Sequence, residues 1–217
     1  MKLYYGPGTS SLAAHIALRE AGLPFTAVRA RTDTHRLDDG TDYYTIDRRG
    51  YVPLLELDSG ERLGEGAAIV QYVADQAPGR KLAPPAGTLA RYRLVEWLNF
   101  VASELYRNFT PLFDPAMPEA AKAIHRRILA ARYAWVESRL AESPLAESQS
   151  AESQSAGKDW LMGADFTVAD AYLYVVTGWA GFVGVDLGAY PRLEAFMARV
   201  AERPAVRDAM RAEGLRQ

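Results

Sequence analysis

A proline stands at the opening of the most strand-like run in the chain. Leu54, Leu55 and Leu57 call for a buried strand, yet Pro53 just before them offers no backbone donor. It can therefore sit only at the strand's first position or at an edge. A bend there leaves the backbone groups of Val52 unpaired, and such groups suit an extended, peptide-like ligand lying alongside as an added strand. Beyond a hairpin turn at Asp58-Ser59-Gly60, Gly64-Glu65-Gly66 frees amides ahead of Ile69, Tyr72 and Val73. The spacing of those three residues predicts a helix, whose N-terminus attracts a carboxylate. Two such sites joined by one turn suggest a pocket for a small anionic peptide.

Around this stretch the chain reads as two domains. Lys2 to Tyr5 favours a strand and stops at Gly6-Pro7-Gly8; Ser10 and Ser11 then precede a helical spacing that ends at Gly22-Leu23-Pro24. Phe25 to Ala30 form a second strand, an irregular stretch follows, and Leu54 to Leu57, Glu61 to Leu63 and a helix from Glu65 to Gln76 close the unit. This β-α-β, β-β-α order is a thioredoxin-like α/β arrangement with a helical crossover between parallel strands. It predicts a first domain over residues 1–77 and a proline- and glycine-rich linker over 78–88. From 89 to 217 the pattern is helical only. Leu94, Trp97, Leu98, Val101 and Leu105 form one stripe, and Ile124, Ile128, Trp135, Val136 and Leu140 a second, predicting an antiparallel pair. Thr167 and Asp170 have capping-box spacing ahead of Val168, Tyr172, Val175, Val176 and Trp179, the face of the helix expected to be most buried. Pro191 and Pro204 should each open a further helix. Residues 141–155 hold three near-identical pentads, Ala-Glu-Ser-Pro-Leu and then Ala-Glu-Ser-Gln-Ser twice. They predict a polar, solvated loop over about residues 141–157.

Composition narrows the chemistry. With no cysteine, the chain has no disulfide and no redox-active thiol, so any sulfur chemistry must use a ligand's sulfur. The three histidines, His15, His35 and His125, lie far apart without metal-site spacing, so no metal is expected. A formal net charge of −2 with both signs interspersed gives no footprint for nucleic acid or an anionic membrane. No apolar run has the length of a membrane span, and the polar N-terminus does not read as a signal peptide. A cytoplasmic protein whose partners are small molecules or a second copy of itself is expected.

Several motifs, in order, carry a family resemblance: Lys2-Leu3-Tyr4-Tyr5 with Ser11-Leu12-Ala13, His15 to Glu20, Val52-Pro53, Glu65-Gly66, Ile69, Gln71-Tyr72, Glu96 to Asn99, Phe109 to Phe113, Phe166 to Tyr172 and Ala201 to Pro204. Together they resemble the bacterial beta class of glutathione transferases over nearly the whole chain, the pentads apart. The resemblance implies the glutathione transferase fold, a thioredoxin-like domain followed by an all-helical bundle, and a homodimer acting in detoxification. Glutathione, as co-substrate, would lie along the first domain. Val52 and Pro53, beside Tyr51, would hold its cysteinyl part, Glu65 and Gly66 its γ-glutamyl end, and His35 its glycine end. Asn99, Ser103, Tyr106 and Arg107 would complete the site, in part from the second subunit. A small hydrophobic electrophile would sit in the cleft between the domains, near Tyr106, Phe109 and Trp179.

The departures fall on the chemistry. The class carries cysteine at position 10, histidine at 106 and lysine at 35, where this chain has Ser10, Tyr106 and His35. Its Asn-Pro-Lys-Gly-Gln run is replaced by Asp47-Arg48-Arg49-Gly50-Tyr51. A mixed disulfide with the ligand is thereby excluded. Conjugation needs only that the ligand's sulfur be held as a thiolate. Lowering a thiol pKa of about 8.5 by about two units takes about 2.7 kcal/mol. Ser10, Ser11 or Tyr5 could donate the hydrogen bond, helped by the helix N-terminus. The rival expectation is a non-catalytic or weakly active ligand-binding protein of the same fold with altered or lost glutathione binding, because Arg48, Arg49 and Tyr51 put charge and bulk beside the site.

Overall fold

The computed structural model describes residues 1–141 and 159–215, so the pentads lie outside the described residues apart from Ala141. Two compact units result: Met1–Ala83 with the stretch from Ala201, and Pro84–Val200. Their boundary falls inside the expected linker. The final helix, assigned to the helical domain from the sequence, instead groups with the first unit.

In that unit β1 (Lys2–Tyr5), β2 (Thr26–Arg31), β3 (Arg36–Leu37), β4 (Leu54–Glu56) and β5 (Arg62–Gly64) form one sheet in the order β3-β2-β1-β4-β5. The β1–β2 pair is parallel, as the crossover through α1 (Ser11–Ala21) requires, and β4 and β5 add antiparallel. Strands β2 and β5 begin one residue later than expected, and β3 is too short to announce itself by pattern. Alternation along β1 and β4 gives the sheet two buried faces. Leu3 and Leu55 pair across the strands on the side of α1 and α2 (Gly66–Gln76), where Ile16, Leu18, Ile69 and Val73 are also fully buried. On the other face Tyr4 and Leu54 pack with Ala30, Leu37 and Tyr43, so the irregular stretch supplies a second small core. Helix α1 stops at Gly22, whose φ of 67° is open to glycine at little cost and whose N–H returns to the Arg19 and Leu18 carbonyls.

In the second unit α3 (Leu89–Phe100) runs through a π-helical stretch, Val101–Tyr106, into α4 (Arg107–Phe113), followed by α5 (Glu119–Ala141), α6 (Val168–Thr177) and α7 (Pro191–Ala201). The first apolar stripe is buried at every position from Leu94 to Leu105. The second needs correction. Ile124 and Trp135 are exposed and Ile128 and Leu140 only half-buried, while the face α5 turns inward is Leu129, Tyr133 and Val136. Tyr133 fills that face because its hydroxyl has a partner, Thr177 Oγ1 at 3.3 Å. Helix α6 opens on the expected capping box: Asp170 Oδ2 accepts from the Thr167 N–H at 2.7 Å and its hydroxyl at 2.8 Å. Both expected proline-led helices are present, the second being α8 (Pro204–Ala212). Helix α8 packs on α1, with Arg203 forked onto Glu20 at 2.5 and 2.9 Å, which ties it to the first unit. Among the described residues no helix is long and apolar enough to cross a membrane.

Candidate functional site

The register of the sheet assembles one end of the first unit. Tyr4 pairs with Leu54 and Leu54 with Gly64, so the chain leaving β1 at Gly6 runs beside Val52, and Glu65 follows β5 beside Pro53. The Val52–Pro53 bond is cis, and Pro53 stands just before β4, where it costs the sheet no hydrogen bond. Among the described residues neither the N–H nor the C=O of Val52 takes a hydrogen bond, as its place beside a proline implies. Tyr51 is largely exposed but its carbonyl accepts from the buried Tyr43 hydroxyl at 2.8 Å, which fixes the approach to Val52 from beneath. Glu65 precedes α2 with φ 66° and ψ 114°, a backbone rarely adopted by a side-chain-bearing residue. Its carboxylate stands 77% exposed, and Gly66 begins the helix behind it. Such an outlier points to function.

The three candidate hydroxyls are not equivalent. Ser11 is fully buried: its Oγ accepts from the Gly6 N–H at 3.1 Å and lies 2.8 Å from Thr9 Oγ1, which donates to the Gly6 carbonyl at 2.9 Å. That hydroxyl closes the loop between β1 and α1. Ser10, the next residue back, occupies the N-cap of α1 with helical φ and ψ, and its side chain makes no capping hydrogen bond. The Tyr5 ring is tilted against His15 at 5.8 Å. Burial first, and the Glu213 carboxylate second, push the Tyr5 phenol above its usual range, so it remains a neutral hydroxyl.

Glu213 was not foreseen, and it ties this loop to the end of the chain. Its Oε2 accepts from the Gly8 N–H at 3.0 Å and its Oε1 lies 2.9 Å from His15 Nδ1, both side chains being fully buried. Replacing it by glutamine keeps the shape and a neutral acceptor but removes the charge from both bonds. Charge-assisted bonds are about twice as strong as neutral ones, so Glu213→Gln should lower the unfolding free energy by about 1 kcal/mol in urea denaturation.

By sequence Arg49 is only charge near the site; in the fold it ion-pairs with Glu65 Oε1 at 3.2 Å. His35 has a φ of 51°, stacks on Tyr44 with centroids 4.6 Å apart, and keeps a buried Nδ1 without a hydrogen-bond partner. The remaining expected residues belong to the second unit. Asn99 is exposed and its carbonyl accepts from the Ser103 hydroxyl at 2.9 Å; Arg107 is also exposed. Tyr106, at the end of the π-helical stretch, meets Trp179 edge-on at 5.3 Å, and the half-exposed Phe113 meets it at 6.1 Å. Phe109 is fully buried between Trp179 and Tyr133 and is core.

Known glutathione S-transferases resemble the chain in both of its domains. Residues 10–76 match the model of the N-terminal domain of glutathione S-transferase and residues 109–204 that of its C-terminal domain. Over 216 residues, covering 100% of both chains, the protein is 44% identical to the glutathione S-transferase GstA of Escherichia coli O157:H7. A solved bacterial beta class glutathione S-transferase from Sphingomonas chungbukensis is similar at 42% identity and a TM-score of 0.89, with all of both chains covered. A sphingomonad glutathione S-transferase solved with glutathione bound is similar at 44% identity and the same TM-score of 0.89, again over 100% of both chains. With its two domains matched in order and its relatives aligned from end to end, the chain belongs to the glutathione S-transferase family, where its near relatives are of the bacterial beta class.

Proposed function

We propose that the protein conjugates glutathione to small apolar electrophiles and holds the sulfur as a thiolate through the Ser10 hydroxyl. The observation that carries this reading is the contrast between the two serines: Ser11 is consumed by the loop, whereas Ser10, at the N-cap, has no capping bond to give up. A hydroxyl bonded to an anion contributes about 1.5–3 kcal/mol and a helix N-terminus about 0.3–1 kcal/mol, which together meet the roughly 2.7 kcal/mol that a neutral-pH thiolate requires. The open Val52 backbone suits the cysteinyl part, Glu65 and Gly66 the γ-glutamyl end, and His35 the glycine end. The relative solved with glutathione bound supports this ligand assignment. The exposed edges of Tyr106, Phe113 and Trp179 suit an apolar acceptor. The reading includes a cytoplasmic homodimer in which Asn99, Ser103 and Arg107 of a second copy approach the ligand.

The Arg49–Glu65 ion pair favours a second reading, a binder with altered ligand preference, because it occupies the carboxylate that glutathione's ammonium would use. Calorimetric titration with glutathione, followed by turnover with an activated aryl chloride, separates the two. Binding with turnover is the expected result. Binding without turnover across several electrophiles supports a glutathione binder, and no binding at millimolar glutathione contradicts conjugation and favours a pocket turned to a different ligand.

A further inference from the structure

One charged cluster in the first unit has more organisation than folding requires. Asp47 Oδ1 accepts from both the backbone N–H and the Nε of Arg49, each at 3.2 Å, and Arg49 Nη1 donates to Glu65 Oε1 at 3.2 Å. The guanidinium lies against Gly64, where an added Cβ would come within 2.1 Å of Nη2; only a residue without a side chain leaves it this seat. The Asp47 side chain is 10% exposed, and its Oδ2 is buried without a partner. Arg49 and Glu65 are 45% and 77% exposed, and an exposed pair contributes no more than about 1 kcal/mol. That is little return for a carboxylate whose second oxygen stays unpaired. The pair sits at the strained residue before α2, whose Gly66 and Ala67 amides have no partner within the helix.

Two opposite charges side by side match an α-amino-acid head group, which carries an ammonium and a carboxylate on one carbon. We propose that Arg49 is a specificity-determining residue: aimed by Asp47 and seated on Gly64, it takes the ligand's α-carboxylate while Glu65 takes the ammonium. The inference rests on the glutathione reading and concerns its γ-glutamyl end. On binding the ion pair opens, and each charge exchanges a protein partner for a ligand partner, so neither is left unpaired. A peptide whose acyl end lacks either charge leaves one of the two without its new partner and is discriminated against. The planar fork of arginine can also hold a carboxylate through two parallel bonds, which a lysine cannot.

The test uses glutathione and two analogues, one with a glutaryl group in place of γ-glutamyl, lacking the ammonium, and one with a 4-aminobutanoyl group, lacking the α-carboxylate. Each is titrated calorimetrically into the wild type, Arg49→Gln, Glu65→Gln and Gly64→Ala. Arg49→Gln should weaken glutathione and the glutaryl analogue about tenfold and leave the aminobutanoyl analogue within about twofold. Glu65→Gln should weaken glutathione and the aminobutanoyl analogue instead. Gly64→Ala, which keeps the arginine but takes its seat, should repeat the Arg49→Gln pattern. If Arg49→Gln weakens all three ligands equally, or tightens glutathione, the assignment is overturned while the glutathione reading stands. A wild type that binds none of the three overturns the glutathione reading, and this inference with it.

Discussion

Replacing Asp170 with alanine is expected to lower the unfolding free energy by about 4 kcal/mol, because it strips three buried donors of their acceptor and a helix of its cap. The carboxylate is completely buried at the start of α6 and accepts from the Thr167 N–H and hydroxyl and, at 2.8 Å, from the Leu161 N–H. Alanine leaves those donors in the core without water, each at a cost of about 1–3 kcal/mol, and opens the N-terminus of the most apolar helix in the second unit. Burial pushes Asp170 up to about 6, with the donated bonds pulling the other way. The folded chain therefore takes up this proton before the unfolded chain does as the pH falls. The sign follows: the group contributes most at low pH and loses that contribution as pH rises through about 6. The penalty for Asp170→Ala should thus grow between about pH 6 and about pH 4. Guanidinium denaturation at both pH values checks this, and a penalty that shrinks on acidification would contradict the assignment.

Ser10→Ala is expected to leave the fold intact, because the side chain caps nothing, and to strike the reaction. Loss of about 2 kcal/mol of preferential thiolate stabilisation corresponds to a rise of about 1.5 in the pKa of the bound thiol. With a starting value of about 6.5, conjugation at about pH 6 should fall about twenty-five-fold at saturating glutathione, and the deficit should close above about pH 8.5, where the thiol ionises unaided. Ser11→Ala should do the reverse. It removes the partner of the Gly6 N–H and of Thr9, so stability falls while the pH profile of whatever activity remains keeps its shape. A uniform loss across all pH values in Ser10→Ala would mean that the hydroxyl orients the ligand and does not steady its charge.

Local rules were enough to read much of this molecule from its sequence. Pro53 before a leucine run, Gly64-Glu65-Gly66 ahead of α2, Thr167 and Asp170 at capping-box spacing, and Pro191 and Pro204 at helix starts all act within a few residues. The structure has the expected element at each. What escaped depends on distance or direction. Glu213 meets Gly8 and His15 from about two hundred residues away, a pairing no window on the sequence contains. Arg49 reaches Glu65 across the end of β5, with Gly64 as its seat. Ser10 and Ser11 are indistinguishable by type, and only the turn of the first helical residues sends one hydroxyl into the loop and leaves the other uncommitted. Helix α5 carries apolar residues on more than one face. The stripe through Ile124 and Trp135 was as regular as the one that is buried, and Trp135 instead meets Trp97 and Phe100 while remaining 39% exposed.

The proposed function stands or falls on a glutathione thiolate steadied by Ser10 in the first unit. The most direct measurement is the ultraviolet absorbance of the thiolate, read as a pH titration on wild type and Ser10→Ala saturated with glutathione. The wild type should titrate about two units below free thiol, at about pH 6.5, and the variant at about pH 8. Coincident curves at the free-thiol value would contradict thiolate stabilisation altogether, and coincident curves at the lower value would remove Ser10 as its source.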